Sequence, residues 1–99
     1  MKRPVALEWD ERKSARNVAQ KRPPFEDVVR FDFGAAMIFE DRRKDYGERR
    51  MVAISYVDRR LHVLVFTERG GGIRVISFRH ANEREIARYA RQTLDRIPD

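Results

Sequence analysis

Cysteine is absent from this 99-residue chain, and histidine occurs only twice. The lack of cysteine excludes a disulfide framework and a thiolate metal site, and two histidines do not make up the ligand set of a zinc site. The chain also has no apolar run close to the roughly 20 residues that cross a membrane, and none typical of a secretory signal. We therefore expect a cytoplasmic protein that needs no metal or other cofactor.

Familiar catalytic and nucleotide-binding patterns are missing as well. The sequence contains no Ser/His/Asp arrangement, no phosphate-binding loop and no cluster of metal ligands. Its one glycine run, Gly70-Gly71-Gly72, is typical of a turn between strands rather than of a nucleotide fingerprint. The length is typical of one domain, and there are no internal repeats or low-complexity segments, so residues 1–99 are expected to form a single domain.

Acidic residues are in the minority. The chain has 22 lysines and arginines against 16 aspartates and glutamates, a formal net charge of +6, and its isoelectric point is about 10.3. A field of this sign attracts polyanions, first of all RNA or DNA. Most of the excess is arginine, whose planar guanidinium binds phosphate through two parallel hydrogen bonds and stacks on bases. The composition favours a nucleic-acid partner, and an acidic protein partner is the alternative.

The hydrophobic periodicity predicts an α+β fold: an N-terminal strand and two helices, an antiparallel meander, and a C-terminal helix against one twisted sheet. Asp10 is a predicted N-cap, Asp58-Arg59 a hairpin turn, and Asn82 with Glu85 a capping box. The predicted strands cover residues 5–9, 36–40, 51–57, 61–67 and 73–79, and the predicted helices cover about residues 10–20, 24–31 and 82–96.

Two of the predicted helices carry an apolar stripe that should face the sheet. In the first helix the stripe is narrow and consists of Ala15, Val18 and Ala19. In the last helix the opposite, outward side carries Arg84, Arg88 and Arg91. Its inward stripe is predicted to contain Ile86, Tyr89, Ala90, Thr93, Leu94 and Ile97.

The candidate functional site surrounds the last strand and the start of the last helix. Because side chains alternate along a strand, Arg74 and Arg79 are predicted to lie on opposite faces of it. Arg79, next to a helix N-terminus, is a candidate for phosphate contact, whereas Arg74 either binds phosphate or forms an ion pair with a carboxylate. The whole candidate set is Arg69, Arg74, Arg79, His80, Arg84 and Tyr89.

Three further side chains have two interpretations each. His80 is either a general acid or base, since imidazole titrates near neutrality, or a polar residue before a helix cap. Tyr89 either packs in the core or offers its hydroxyl to a ribose or phosphate at the sheet rim. Tyr46, between basic residues at 42–44 and 49–50, suits stacking on an unpaired base, and a solvated loop is the alternative. His62, inside an apolar strand, is read as structural.

Short motifs follow one another through the chain in a characteristic order and spacing. They are Glu8-Trp9-Asp10-Glu11 with Lys13 and Asn17, Phe25-Glu26-Asp27, Tyr46-Gly47-Glu48-Arg49-Arg50, Val65-Phe66-Thr67-Glu68-Arg69, Ile73-Arg74-Val75-Ile76-Ser77-Phe78-Arg79, and Ala81 with Glu85 and Tyr89. No single motif is specific. Over about residues 6–90, their order resembles the BrnT family, the toxin half of BrnT–BrnA modules.

The resemblance implies a RelE-like fold and a ribonuclease that inhibits translation. It also implies a cognate BrnA-like antitoxin with a ribbon-helix-helix DNA-binding part, and a complex that represses its own operon. Cleavage would need no metal, because the 2′-hydroxyl of the RNA attacks the adjacent phosphate while the enzyme positions the groups and stabilises charge. On this hypothesis the catalytic residues are Arg79, Arg74, His80 and Tyr89, and the RNA contacts are Arg69, Tyr46, Arg49, Arg50 and Arg84.

One segment departs from the family pattern. Most members have Lys-His-Gly at the end of the first helix, whereas this chain has Gln20-Lys21-Arg22-Pro23. Lys21 or Arg22 keeps a positive charge there but does not titrate near neutrality, and His80 is the candidate replacement. The leading hypothesis is an endoribonuclease toxin. The alternative is a catalytically weakened module that binds its antitoxin and tunes operator binding.

Overall fold

The computed structural model describes residues 1–95, and it confirms the predicted α+β class. The predicted end of the last helix, near residue 96, falls outside the described residues, as does Ile97. No helix within residues 1–95 is long and apolar enough to cross a membrane. The elements in chain order are β1 (Leu7–Glu8), α1 (Glu11–Ala19), two 3-10 helices (Phe25–Arg30 and Phe33–Ala35), β2 (Met37–Glu40), β3 (Met51–Val57), β4 (Arg60–Arg69), β5 (Gly72–His80) and α2 (Glu83–Asp95).

All five strands belong to one sheet with the order β1-β5-β4-β3-β2. Strands β2 to β5 form the predicted antiparallel meander, and the two-residue strand β1 lies parallel to β5 at the edge. β1 approaches so closely that a Cβ atom on Gly72 would lie 2.5 Å from the Ala6 carbonyl oxygen. The third glycine of the run is therefore required for close approach of the backbone rather than for a turn.

One face of the sheet is covered by the 3-10 helices. The segment predicted as a second helix is a 3-10 helix, in which residues three apart eclipse each other, so Phe25 and Val28 both point into the core. Burial of such apolar side chains is the main stabilising term of the fold. The core on this face consists chiefly of Phe25, Val28, Phe31 and Phe33 from the 3-10 helices and Leu64, Phe66, Val75 and Phe78 from the sheet.

The first helix packs through polar side chains, contrary to the predicted apolar stripe. Val18 is 54% exposed, whereas Ser14 and Asn17 are buried. The Asn17 amide donates to the carbonyl oxygens of Pro23 (2.9 Å) and Phe78 (2.6 Å), and the Ser14 hydroxyl accepts from the Phe25 backbone N–H at 2.9 Å. The prediction was wrong because it ranked residues by hydropathy, while this helix joins the sheet by satisfying backbone groups that the irregular segment leaves unpaired.

A β-bulge in β5 overturns the predicted separation of Arg74 and Arg79. Ser77 pairs with Val65 and Val75 pairs with Phe66, so Ile76 is an extra residue opposite the Val65/Phe66 step. One additional residue reverses the alternation beyond it. Arg74 and Arg79 therefore lie on the same face of the sheet, the face opposite the 3-10 helices.

The second face of the sheet is covered only in part, at the end where α2 contacts it. Tyr89 is buried there against a small cluster that includes Met37 and Ile54. Three other residues of the predicted inward stripe are not buried: Ile86 is 45% exposed, and Ala90 and Thr93 are also exposed, whereas the side chains of Leu94 and Ile97 lie outside the described part of the chain. The predicted outward arginines are exposed, as expected, at positions 84, 88 and 91.

Candidate functional site

Three arginines lie along the open face of the sheet. Arg74 is opposite Thr67, and Arg79 is opposite Val63. Arg69, at the end of β4, joins them through Glu8, whose Oε1 lies 3.8 Å from Arg69 Nε and 3.4 Å from Arg74 Nη1. We call this surface the arginine face and define it by Arg69, Arg74 and Arg79. The bulge in β5 creates it, since regular alternation would place Arg74 and Arg79 on opposite sides.

Arg79 and Glu85 form the strongest ion pair on the arginine face. The two guanidinium nitrogens Nη1 and Nη2 donate to the two carboxylate oxygens of Glu85, each at 2.8 Å. These hydrogen bonds raise the pKa of Arg79 and lower the pKa of Glu85. Glu85 also accepts from the Asn82 N–H at 2.9 Å, and Asn82 Oδ1 accepts from the Glu85 N–H, which confirms the predicted capping box. One carboxylate thus caps α2 and neutralises Arg79.

The loop between β2 and β3 is ordered by Asp41. Its carboxylate accepts from Arg43 Nε and Nη2 at 2.9 Å and from the Tyr46 hydroxyl at 3.0 Å. The Arg43 side chain, followed by its backbone N–H, holds the pKa of Asp41 well below its usual range. The Arg50 guanidinium lies 4.1 Å from the centre of the Tyr46 ring, and Arg49 Nε donates to Glu40 at 3.1 Å. The side chains of this loop that were predicted to contact RNA therefore take part in a network of ion pairs and ring contacts, although most of the loop residues are exposed.

Tyr89 and Arg84 belong to α2, and Tyr89 packs on the same face of the sheet as the arginines. The Tyr89 hydroxyl donates to the Ala35 carbonyl oxygen at 2.8 Å, and its ring packs edge-on against Tyr56 with 5.7 Å between centroids. That geometry matches the core-packing interpretation of Tyr89. Arg84 is exposed on the first turn of α2.

Both histidines lie on the side of the sheet opposite the arginine face. His62 and His80 are register partners whose rings are 4.8 Å apart, and the His62 ring stacks on Phe78 at 5.0 Å. His62 Nδ1 donates to the Arg60 carbonyl oxygen at 2.8 Å. Burial lowers the pKa of each imidazole, and the nearby charge of Arg60 lowers both further. The structural interpretation of His62 fits this stacking, and His80 is separated from the arginines with which it was grouped.

Sequence reasoning missed a cleft of about 430 Å³ beside these histidines. It opens between the turn after α1, the β3–β4 hairpin and the end of β5. We call it the basic cleft and define it by the cations that line it: Lys21, Arg22, Arg30, Arg59 and Arg60. Lys21 and Asp58, which is also in the cleft wall, have positive φ values of 62° and 55°. The segments that form the cleft are far apart in the sequence. The one feature of the sequence that could have indicated the cleft was therefore the density of basic residues at each turn.

The lowered imidazole pKa values predict that the fold weakens in mild acid. An unfolded histidine takes up its proton near pH 6.5, whereas folded His62 and His80 do so at lower pH. The free energy of unfolding should therefore fall as the pH drops through about 6.5, until the folded pKa values are passed. Urea unfolding across this range checks the expectation, and a His62→Gln/His80→Gln protein should show a flatter dependence. An equally steep dependence in that variant would assign the loss to other groups.

Fold and surface together define a small, strongly basic α+β protein whose open sheet face presents arginines suited to a polyanion. Comparison with known families agrees with this class: a family model described as "Ribonuclease toxin, BrnT, of type II toxin-antitoxin system" matches residues 9–85. The chain therefore belongs to the BrnT family of ribonuclease toxins, as its motifs predicted. Searches of curated proteins and of solved structures gave no significant match.

Proposed function

We propose that this protein is a metal-independent endoribonuclease whose arginine face binds the phosphate at which RNA is cut. In the proposed reaction the 2′-oxygen attacks the adjacent phosphorus and loses its proton. The bond from phosphorus to the 5′-oxygen breaks, and that oxygen takes up a proton. The products are a 2′,3′-cyclic phosphate and a 5′-hydroxyl. The observation that supports this role is the bulge that places Arg74 and Arg79 together on an open surface in a member of a ribonuclease toxin family.

The geometry of Arg79 suits a phosphoryl group. Its two terminal nitrogens already hold two carboxylate oxygens of Glu85 in parallel, and a phosphate presents a similar pair of oxygens to the same fork. Arg74 and Arg69 share Glu8 at longer distances of 3.4 and 3.8 Å. Both remain partly exposed and reach neighbouring phosphates. As negative charge grows on the phosphoryl oxygens, these fixed cations stabilise the transition state more than the ground state.

The two residues predicted to transfer protons are not positioned in the same way as the arginines. The ring of His80 lies on the opposite face of the sheet, and the hydroxyl of Tyr89 donates a hydrogen bond to the Ala35 carbonyl oxygen. Our proposal therefore rests on charge stabilisation by the arginines, and the roles of His80 and Tyr89 stay predictions.

Purified protein incubated with cellular RNA and a chelator tests the proposed reaction. We expect cleavage to continue in the chelator and the products to carry a 2′,3′-cyclic phosphate end. Once a cleavage position is mapped, an oligonucleotide with a single 2′-deoxy substitution there should resist cutting, because the attacking oxygen is missing. Cleavage of the deoxy substrate at the same position would overturn the mechanism, and loss of cleavage in the chelator would overturn metal independence.

Toxin activity of this kind needs a partner that restrains it. We propose that cleavage inhibits translation in the cytoplasm, and that a ribbon-helix-helix antitoxin neutralises the toxin and directs the complex to DNA. Membership of a type II toxin–antitoxin family supports this proposal. Co-expression of a short reading frame adjacent to the toxin gene should restore growth and co-purify with the toxin.

One observation favours the alternative function, a catalytically weakened module that acts mainly by binding its antitoxin. Each arginine of the arginine face is matched by a carboxylate: Glu85 pairs with Arg79, Glu8 with Arg74, and both Glu8 and Glu48 with Arg69. If the protein is such a weakened module, RNA would stay intact while the folded protein still binds its antitoxin. Growth after induction of the toxin alone separates the two functions, since only an active ribonuclease should arrest it.

A further inference from the structure

The basic cleft is a second concentration of positive charge, on the side of the sheet opposite the arginine face. Its lining includes two carboxylates, Asp27 and Asp58, against five cations. Both carboxylates pair with the same cation: Arg30 Nη2 lies 3.3 Å from Asp27, and Arg30 Nε lies 3.5 Å from Asp58. Arg30 and its two carboxylates thus form a group of net charge −1, and the cleft as a whole keeps a net charge of +3.

The remaining four cations have no carboxylate partner within 4.0 Å in the part of the chain that the structure describes. Lys21 and Arg22 are exposed after α1, and Arg59 and Arg60 are exposed at the β3–β4 hairpin. Outside the cleft, six of the thirteen described arginines pair with a carboxylate, namely Arg42, Arg43, Arg49, Arg69, Arg74 and Arg79. Four unmatched cations around one concave surface repel one another, and an anion between them relieves that repulsion.

We propose that the basic cleft is a second RNA-binding site, which holds backbone phosphates of single-stranded RNA through Lys21, Arg22, Arg59 and Arg60. The choice of RNA as the polyanion rests on the proposed function. The cleft volume of about 430 Å³ lies within the range of small-ligand pockets, so it accommodates about one nucleotide. His62 and His80 also line the cleft, and the partly exposed His80 can offer a ring nitrogen to a ribose or base.

Two sites on opposite faces imply that a bound strand passes around the edge of the sheet. The arginine face would hold the scissile phosphate, and the basic cleft would hold phosphates some nucleotides away. A substrate too short to reach both would lose the contribution of the cleft. Affinity for long RNA should therefore depend on cleft residues that do not contribute to cleavage itself.

Fluorescence anisotropy with labelled, fully 2′-O-methylated RNA tests the proposal, because this RNA cannot be cleaved. The test variant is Arg22→Ala/Arg60→Ala, and the matched control is Arg12→Ala/Arg91→Ala, which removes two exposed arginines from helices outside the cleft. We expect the cleft variant to bind about tenfold more weakly or worse than the control. For the cleft variant, the slope of log affinity against log salt concentration should be shallower by about 1.4, which is about 0.7 for each of the two lost phosphate contacts.

Equal affinities and equal salt slopes in the two variants would overturn the proposal, provided circular dichroism shows both to be folded. Tighter binding of the cleft to duplex DNA than to RNA of the same sequence would overturn the assignment to RNA. Cleavage of a very short RNA at the wild-type rate by the cleft variant would support separate roles. If chelator-resistant cleavage fails while the cleft variant still loses binding, only the proposed function is wrong. If cleavage succeeds and the two variants bind alike, only the cleft is wrong.

Discussion

An Arg79→Ala protein is expected to cleave RNA about 10²- to 10³-fold more slowly than the wild type, because it lacks a fixed charge at the reacting phosphate. The loss should be largest in single-turnover rates with saturating protein. Under these conditions weaker binding no longer limits the reaction, and the remaining deficit reports transition-state stabilisation. A growth assay should show the same change as a loss of toxicity on induction.

Arg79 also has a structural partner, and Glu85→Gln is the control that separates the two roles. Glutamine at this position keeps the hydrogen bond to the Asn82 N–H, since the capping box accepts either Glu or Gln. It no longer neutralises the guanidinium, so Arg79 is released from its bidentate partner. We expect Glu85→Gln to cleave RNA as fast as the wild type or faster.

The pattern across these two variants decides the role of Arg79. Slow cleavage by Arg79→Ala with fast cleavage by Glu85→Gln assigns the arginine to the phosphate. Equal losses in both would show that the ion pair matters only by fixing α2 on the sheet, and would contradict the proposed role. Thermal unfolding of each variant removes the remaining ambiguity, because a purely structural loss must be accompanied by a lower melting temperature.

The fold was predictable from the sequence because its elements have clear periods. The predominantly apolar segments 51–57 and 61–67 indicated strands of a sheet, and Asn82 with Glu85 marked the start of α2. The bulge at Ile76 was missed: no glycine marks it, and its one sign is the pair of consecutive apolar residues Val75-Ile76, which interrupts the alternation of the strand. Its position depends on which side chains of β4 and β5 fit the core, a tertiary constraint that a single strand does not reveal.

The site was predictable in composition but not in arrangement. The sequence predicted the arginines of the last strands as phosphate ligands and the loop around Tyr46 as an aromatic and cationic RNA contact, and both roles stay predictions. Neighbouring residues of a strand point to opposite faces, so strand alternation already implied that His80 and Arg79 are separated. They were grouped in the candidate site because they are adjacent in sequence. The basic cleft lies between the turn after α1 and the β3–β4 hairpin, and the 3-10 helix Phe25–Arg30 contacts both α1 and β3, an arrangement that depends on tertiary packing.

Replacement of Asn17 by alanine is expected to lower the free energy of unfolding by about 2–3 kcal/mol. The amide of Asn17 is buried and donates to two carbonyl oxygens, those of Pro23 and Phe78, so its loss leaves two acceptors unpaired in the interior. In a chain of this size the change corresponds to a decrease of roughly 10–20 °C in melting temperature. Urea or thermal unfolding measures it directly.

The neighbouring residue provides the matched control. Val18→Ala on the exposed side of the same helix should change the free energy of unfolding by no more than about 0.5 kcal/mol. Asn17→Asp keeps the shape of the side chain but cannot donate when ionised, so it should be at least as damaging as alanine at neutral pH. If Asn17→Ala were no worse than Val18→Ala, α1 would be held by contacts other than these two hydrogen bonds. If both Asn17 variants are strongly destabilised, the polar attachment of α1 to β5 maintains the wall of the basic cleft, because Lys21 and Arg22 follow directly from this helix.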